Sequence, residues 1–343
     1  MNLFYCRTPF IIEVDADASQ IATKIELFIW DLGATEPTTP TNIIEKEIFT
    51  PTQYIGKYNI SPFVADKTKY NNRVVNVKVK KYYKLVTDWI LDEELEYVSA
   101  YGYVNTSGTT IAVPTTLESS YYDKRYFRPA DFLTEIHLIP TIDVVFDFDL
   151  YTTLRVVYTS TLGTDSVDYT GTEIEVIQVP LTIDNAFFID SNQVQLQYFD
   201  GTNYIPYETY NVENVCEPKF IPFVVSFINS RGGFSYITFF KKSTIGNDVK
   251  GTDYNLQGLK QSLNINGTQN VKLNTGWVNE EMKLLIKELL LSEYVHLISV
   301  DTVTDGQAVV KTTSFIEKTN LNDKVINYEI DFELSTPLIN NYV

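Results

Sequence analysis

The chain is poor in the residues on which most enzyme chemistry depends. Its 343 residues include two cysteines, Cys6 and Cys216, and two histidines, His137 and His296. Cysteines so far apart make no disulfide framework, and with two histidines at unsuitable spacing they complete no four-ligand zinc site. Both are expected to be free thiols in a reducing compartment, packed as small hydrophobes. His137 lies in Glu135-Ile-His-Leu-Ile and His296 in Tyr294-Val-His-Leu-Ile. Histidine can act as a general base near neutrality, but neither has a nucleophile motif or a second metal ligand nearby. Each is expected on a strand with a satisfied ring. The sequence also lacks a Gly-x-Ser-x-Gly elbow, a Walker-type phosphate loop and a Gly-x-Gly-x-x-Gly fingerprint.

Long apolar runs are missing too. No stretch reaches the roughly 18 uncharged apolar residues of a membrane span. Residues 1–10 lack the basic region and apolar run of a signal peptide, so the chain is expected to be cytosolic at synthesis. On that expectation the sequons at Asn105 and Asn266 are chance matches. Basic residues are outnumbered 27 to 44, giving a formal charge of -17. A phosphate backbone is repelled by such a chain on average, which argues against tight non-specific nucleic-acid binding, and no specific nucleic-acid partner is expected. Lys78, Lys80, Lys81 and Lys84, interleaved with Tyr82 and Tyr83, form a local basic stripe, expected to be the solvated face of a strand.

Aromatic residues are abundant: 24 Tyr and 20 Phe within a 44% hydrophobic composition. That excludes a disordered chain and favours strands, since flat side chains pack well on a pleated face. Period-two alternation recurs throughout. Val75, Val77 and Val79 oppose Asn76, Lys78 and Lys80. Phe146 and Phe148 alternate with Asp147 and Asp149, followed by Leu154, Val156 and Tyr158. Val194, Leu196 and Tyr198 oppose three glutamines. Over 326–334 five apolar residues alternate with Asn327, Glu329, Asp331 and Glu333. Such patterns predict antiparallel sheets with one buried face. Two hairpins are predicted, one at Ser230-Arg-Gly-Gly233 between 223–229 and 234–240, the other at Asp200-Gly201.

Helical spacing is clear over 279–292. Asn279 is the expected cap, Glu280 and Glu281 sit in the first turn, and Met282, Leu285, Ile286, Leu289 and Leu290 form the apolar stripe. That stripe is expected to pack on the sheet of its own domain. A second, shorter helix is expected over 88–97. Loops are read at 33–40, 108–120 and 216–222. The fold expectation is mainly β with a minor α+β part: several antiparallel sandwich or barrel-like units and one amphipathic helix near 279–292. Three domains are expected, at 1–115, 116–215 and 216–343.

Acidic clusters remain as candidate chemistry. Asp143, Asp147 and Asp149, with Asp165 and Asp168 after them, suit a calcium site or the carboxylate pair of a glycosidase. The spacing lacks the Asp-x-Asp-x-Asp-Gly of a calcium loop, so an acidic solvent face, shared with polar positions such as Arg155, is the expectation. The chain therefore reads as non-catalytic, without metal or cofactor. Tyr121, Tyr122, Tyr126 and Phe127, beside Lys124, Arg125 and Arg128, are the candidate protein-interface cluster, because Arg and Tyr dominate energetic centres of interfaces. A loop packing back on its own domain is the competing reading.

Several segments carry a resemblance. They are Arg7-Thr-Pro-Phe10 with Tyr58-Asn-Ile-Ser-Pro-Phe63, the block Phe223-Val-Val-Ser-Phe-Ile-Asn-Ser-Arg-Gly-Gly-Phe234, and Leu273-Asn-Thr-Gly-Trp-Val-Asn-Glu280. The helix that follows, residues 311–318 and Tyr328-Glu-Ile-Asp-Phe332 complete the set. Over about a third of the chain the order and character of these segments resemble structural tail proteins of bacteriophages that infect Bacteroidetes, including the crAss-like group. The resemblance implies a virion protein made in the host bacterial cytoplasm, ring-forming, in the tail barrel or collar below the portal. Its implied partners are copies of itself and other tail or portal-proximal proteins, with no membrane. A carbohydrate- or host-surface-binding β-sandwich is the alternative, with Trp30, Trp89 and Trp277 available to stack on sugars.

Overall fold

A computed structural model describes residues 1–15, 17, 19–47, 55–68, 72–104, 108–126, 140–161, 163–181, 192–215, 220, 222–257, 259–299, 306–314, 316, 326–335 and 338–339. Strands account for 59% and helix for 6%, so the mainly-β expectation holds. Alternation carries it: in most strands one face is buried and the other wet.

The first sheet takes up the N-terminal third. Its elements are β1 (Asn2–Tyr5), β2 (Ile11–Asp15), β3 (Ala22–Asp31), β4 (Asn42–Glu47), β5 (Ile55–Asn59), α1 (Ser61–Lys67), β6 (Val74–Lys84), β7 (Trp89–Ala100) and β8 (Ile111–Ala112). The sheet runs β4-β3-β6-β7-β1-β8, and the β2–β5 ribbon with α1 covers one face. Val75, Val77 and Val79 enter that core beside Phe4 and Phe10, whose rings stack at 4.3 Å. One expectation needs correction here. The segment read as a helix over 88–97 lies almost wholly in strand β7: in the β6–β7 register Glu93, Glu94 and Glu96 face Lys81, Lys80 and Lys78. Opposite charges across a ladder outweigh helical propensity when the partner strand lies next in sequence. Within this mostly antiparallel sheet β1 pairs parallel with β7. The short helix α1, which periodicity did not signal, begins at Ser61-Pro62, where proline suits the first helical turn.

The middle elements are β9 (Thr115–Thr116), β10 (Arg125–Tyr126), β11 (Thr141–Asp147), β12 (Leu154–Ser160), β13 (Gly163–Tyr169), β14 (Ile174–Pro180), β15 (Asn192–Phe199) and β16 (Tyr204–Asn214). Sheets β14-β11-β9 and β10-β16-β15-β12-β13 enclose a core of Val144, Phe146, Val156, Tyr158, Val194 and Leu196. Here too one pairing is parallel, β10 with β16. The predicted Asp200-Gly201 turn joins β15 to β16, with Gly201 at φ +97 and the Asp200 carboxylate accepting from the Thr202 and Asn203 amides. Strand β11 is buried on both faces, since Val145 packs with Leu3, Val98 and Leu117 against the first sheet. The predicted solvent face of this strand is therefore wrong. Asp143 and Asp147 are buried, and Arg155 pairs instead with Asp168 across β12–β13.

The C-terminal elements are β17 (Phe223–Ile228), β18 (Phe234–Phe239), β19 (Thr244–Leu256), β20 (Leu259–Asn274), α2 (Met282–Leu291), β21 (Val295–Ser299), β22 (Gly306–Val310), β23 (Glu329–Leu334) and β24 (Leu338–Ile339). One sheet runs β18-β17-β21-β22-β23-β20-β19, and β24 pairs with β20. Met282, Leu285, Ile286 and Leu289 of α2 pack onto it with Phe227, Phe239 and Phe332, as the stripe predicts. The helix starts later than expected. Val278 is bridged to Ile326, which keeps the chain extended, and Asn279 caps nothing: its Oδ1 accepts the Tyr121 hydroxyl. The predicted hairpin at 230–233 is present, with Gly232 at φ +82.

Candidate interaction surface

Three places stand out: two bring together side chains from distant parts of the chain, and the third is a projecting hairpin. The first is a buried junction. Residues 117–125 run between the middle sandwich and the C-terminal sheet, so the expected loop at 108–120 ends in packed structure. Leu117 is fully buried, and its carbonyl accepts the Asn229 side-chain amide at 2.8 Å. Asn229 in turn accepts the Arg231 and Gly233 amides through Oδ1, which shapes the hairpin turn. A Cβ on Gly233 would stand 2.3 Å from the Leu117 carbonyl oxygen, so glycine is what permits this approach.

Arg73 crosses all three units. Its guanidinium pairs with Asp143 and donates to the Gly232 carbonyl at 2.9 Å, while Asp143 also accepts the Phe234 amide at 2.8 Å. Beside it Glu118 is buried, accepting from the Ser235 hydroxyl at 2.7 Å and the Ser119 amide at 3.0 Å. Burial pushes its carboxyl up to about 8, against the lowering effect of those two bonds, with Asp143 and Glu288 adding to the rise. The group is thus mostly protonated at neutral pH.

The predicted interface cluster lies at the edge of this junction. The Arg125 guanidinium is gripped by Asp123 at 2.9 Å and donates to the carbonyls of Thr275 and Thr238. Tyr122 packs against the middle core, donates to the Asn211 carbonyl and accepts the Asn211 amide. Tyr121 packs against the C-terminal core. Lys124 pairs with Glu213. Tyr126 closes β10, and Phe127 and Arg128 lie outside the described residues, as do His137 and Cys216. The described side chains of the cluster thus join two units of the same chain.

The basic stripe is likewise engaged. Lys78 lies within 3.5 Å of Glu36, Glu94 and Glu96, Lys80 and Lys81 each pair with a glutamate, and Lys84 lies over the Trp89 ring. Tyr82 donates to Glu26; burial first, then that carboxylate, push its hydroxyl up to about 12. Of the acidic candidates, Asp147 accepts the Asp149 and Leu150 amides. Among the described residues no group of three or more His, Cys, Asp or Glu could hold a metal ion, and no helix is long and apolar enough to cross a membrane.

The second place is a pocket of about 490 Å³ between the first sheet's end and the C-terminal unit. Tyr101, Tyr103, Tyr294 and Leu291 supply apolar walls, and Arg7, Asp66, Glu288 and Glu293 supply charge. Glu293 accepts Arg7 at 3.1 Å and the Tyr101 hydroxyl at 3.0 Å; Glu288 accepts the Ser230 hydroxyl at 2.9 Å. Burial, then Glu293, raise the Tyr101 hydroxyl. Three carboxylates against one guanidinium leave the pocket acidic, and Leu291 on its rim is 62% exposed.

The third is an arm. Strand β23 pairs with β20 only over Asn270–Asn274, and β24 reaches Asn266 and Gly267. The β19–β20 hairpin continues past them to Leu256 and Leu259. Beyond the Lys250–Asn266 pair no other described strand supports it, a projection of about 20 Å at the usual rise per residue. Val249 is 64% exposed and Leu259 67%, and Tyr254 is exposed as well. No single residue in the sequence signals either feature. The sole trace of the arm is compositional: 244–270 holds Asp248, Asp253, Lys250 and Lys260, a net charge of zero in a chain of -17. No protein-family model matches the chain, and no curated protein matches it either.

Proposed function

We propose that this chain is a non-catalytic structural component of the virion of a tailed bacteriophage, assembling with copies of itself into a ring of the tail barrel or collar. The observation that carries the assembly part is the β19–β20 arm. Among the described residues no third strand flanks the ribbon beyond the Lys250–Asn266 pair, and a two-stranded ribbon is marginal in water. Exposed Leu259 at its tip lowers the solubility of an isolated chain. A partner surface accounts for both. The buried junction suits the same role, because a ring subunit must transmit load between its faces without its units shearing. The tail placement rests on the resemblance of the quoted segments, and the acidic balance is compatible with DNA sliding past without sticking.

The test is the mass of the purified full chain in solution, with imaging of any large species. A discrete ring, or a monomer that closes into one when virion partners are added, is the expected result. A carbohydrate-binding module is the second reading, favoured by one observation: tyrosines and carboxylates line the pocket. It predicts a stable monomer, indifferent to virion partners and retained on host polysaccharide. A lumen found to be basic in an assembled ring would remove the DNA-sliding element.

A further inference from the structure

We propose that the pocket between the first sheet's end and the C-terminal unit binds a small organic polycation, an aliphatic amine with ammonium groups spaced along a carbon chain. The proposal does not depend on the ring reading. A volume of about 490 Å³ falls in the usual range of small-molecule sites. The walls bring together Arg7, the end of α1, Tyr101 and Tyr103, the turn at 228–230 and the end of α2.

The charges on these walls do not cancel. The Arg7 guanidinium lies over the Tyr101 ring at 5.2 Å and pairs with Glu293 at 3.1 Å, so its charge is already matched. Glu288 accepts from neutral donors among the described residues, the Ser230 amide at 3.3 Å and its hydroxyl at 2.9 Å. Asp66 has no hydrogen-bond or ion-pair partner among the described residues. Several uncharged polar groups on the walls are used internally. Asn229 shapes its own hairpin, Thr68 donates to the Val64 carbonyl, and Ser292 donates to that of Tyr294. Two carboxylates without a cation are left for a ligand, beside the tyrosine rings.

That inventory selects the ligand. An anion is repelled, and a neutral ligand leaves both carboxylates uncompensated. A cation is drawn both by carboxylates and by ring faces. The pocket already holds one cation in this way, Arg7 between the Tyr101 ring and Glu293. A bare metal ion fits poorly, because no three acidic, His or Cys side chains among the described residues gather closely enough to hold one. Charges spaced along a chain suit separated carboxylates, and its methylenes find apolar surface on Ala65, Leu291 and the tyrosines.

Calorimetric titration of the full chain with spermidine tests this. One saturable site is expected, weakened by added salt, and spermidine should raise the unfolding midpoint. Glu288→Gln and Asp66→Asn should each weaken binding roughly tenfold, the scale of a lost charged hydrogen bond, and Tyr103→Ala by less. Asp149→Asn, exposed and outside the pocket, changes the net charge equally and should leave binding unchanged. Asp66 and Tyr103 are exposed, so their variants carry the test even if Glu288→Gln fails to fold. Absence of a saturable site overturns the inference. Equal weakening by Asp149→Asn and the pocket variants also overturns it, since that is general attraction to an acidic chain. Retention on neutral host polysaccharide that Tyr103→Ala abolishes, without spermidine binding, overturns it in favour of a sugar. Ring formation is decided separately, by the mass in solution.

Discussion

At the junction of the three units the chain buries charge, and on the arm it exposes apolar side chains. Each departs from ordinary placement in the opposite direction. Asp143, Glu118 and Asn229 are buried polar groups and Arg73 a half-buried one, each hydrogen-bonded across a unit boundary, with Asp143 accepting through Oδ2 while its Oδ1 has no partner in the described structure. Val249 and Leu259 are apolar groups outside, and beyond the Lys250–Asn266 pair the ribbon that carries Leu259 has no third strand among the described residues. Polar bonds are directional, so they set the relative orientation of three packed units where apolar contact alone would permit sliding. Apolar exposure is non-directional and costs little in a single copy, but it supplies the driving force when a second surface covers it. The difference separates what holds one subunit rigid from what is left for another.

Four substitutions can break or sharpen that contrast. Asp143→Ala leaves the half-buried Arg73 without its carboxylate and should cost about 2–4 kcal/mol in denaturant unfolding; a loss under about 1 kcal/mol would mean that the junction does not hold the units. Glu118→Gln keeps the acceptor oxygen and removes the ionisation. The folded carboxyl titrates at about 8, above its ordinary value of 4.5, so the folded state holds an extra proton between those limits. Wild-type stability therefore falls as pH rises through that window. The variant should lack this slope, its advantage over wild type growing by a few kcal/mol, on the order of the linkage limit, from pH 5 to pH 8. Parallel stability curves for the two proteins would refute a buried, protonated Glu118.

Gly233→Ala drives a methyl group into the Leu117 carbonyl and should cost roughly 1–3 kcal/mol, the usual scale of overpacking. Thermal unfolding measures it, and an unchanged midpoint would show that the turn and residues 117–125 separate freely. Leu259→Asp, at the other extreme, should alter monomer stability by less than about 0.5 kcal/mol, as for surface sites generally. A larger loss would mean that the arm folds back on its own subunit.

Local pattern made much of this molecule legible. Val75 to Val79 and Ile330 to Leu334 alternate because one side of each strand meets a core and the other water. Gly232 and Gly201 announced their turns because only a positive φ closes them, and Met282 to Leu289 repeat at helical spacing because one face of α2 is buried. Residues 88–97 show why local pattern can mislead. Their glutamates look helical in isolation, and only the lysines across the β6–β7 ladder make an extended chain preferable. The candidate cluster at 121–128 was located as a cluster, but its surroundings were not visible. Asp123, Thr238 and Thr275, which hold Arg125, come from both sides of the sequence.

The sequence by itself determined the strand-rich composition, the turns, the helix stripe and the scarcity of catalytic residue types. All of these depend on neighbours within a few positions. The tertiary structure decided which aspartates of β11 are buried, because burial on a second face depends on a sheet over a hundred residues away in places. It also decided that β19 and β20 continue past their neighbours: a strand's own residues favour extension, but the reach of β23 and β24 along β20 sets where the described sheet stops supporting it. Periodicity reports what a residue does to its own face, and only packing reports what stands opposite.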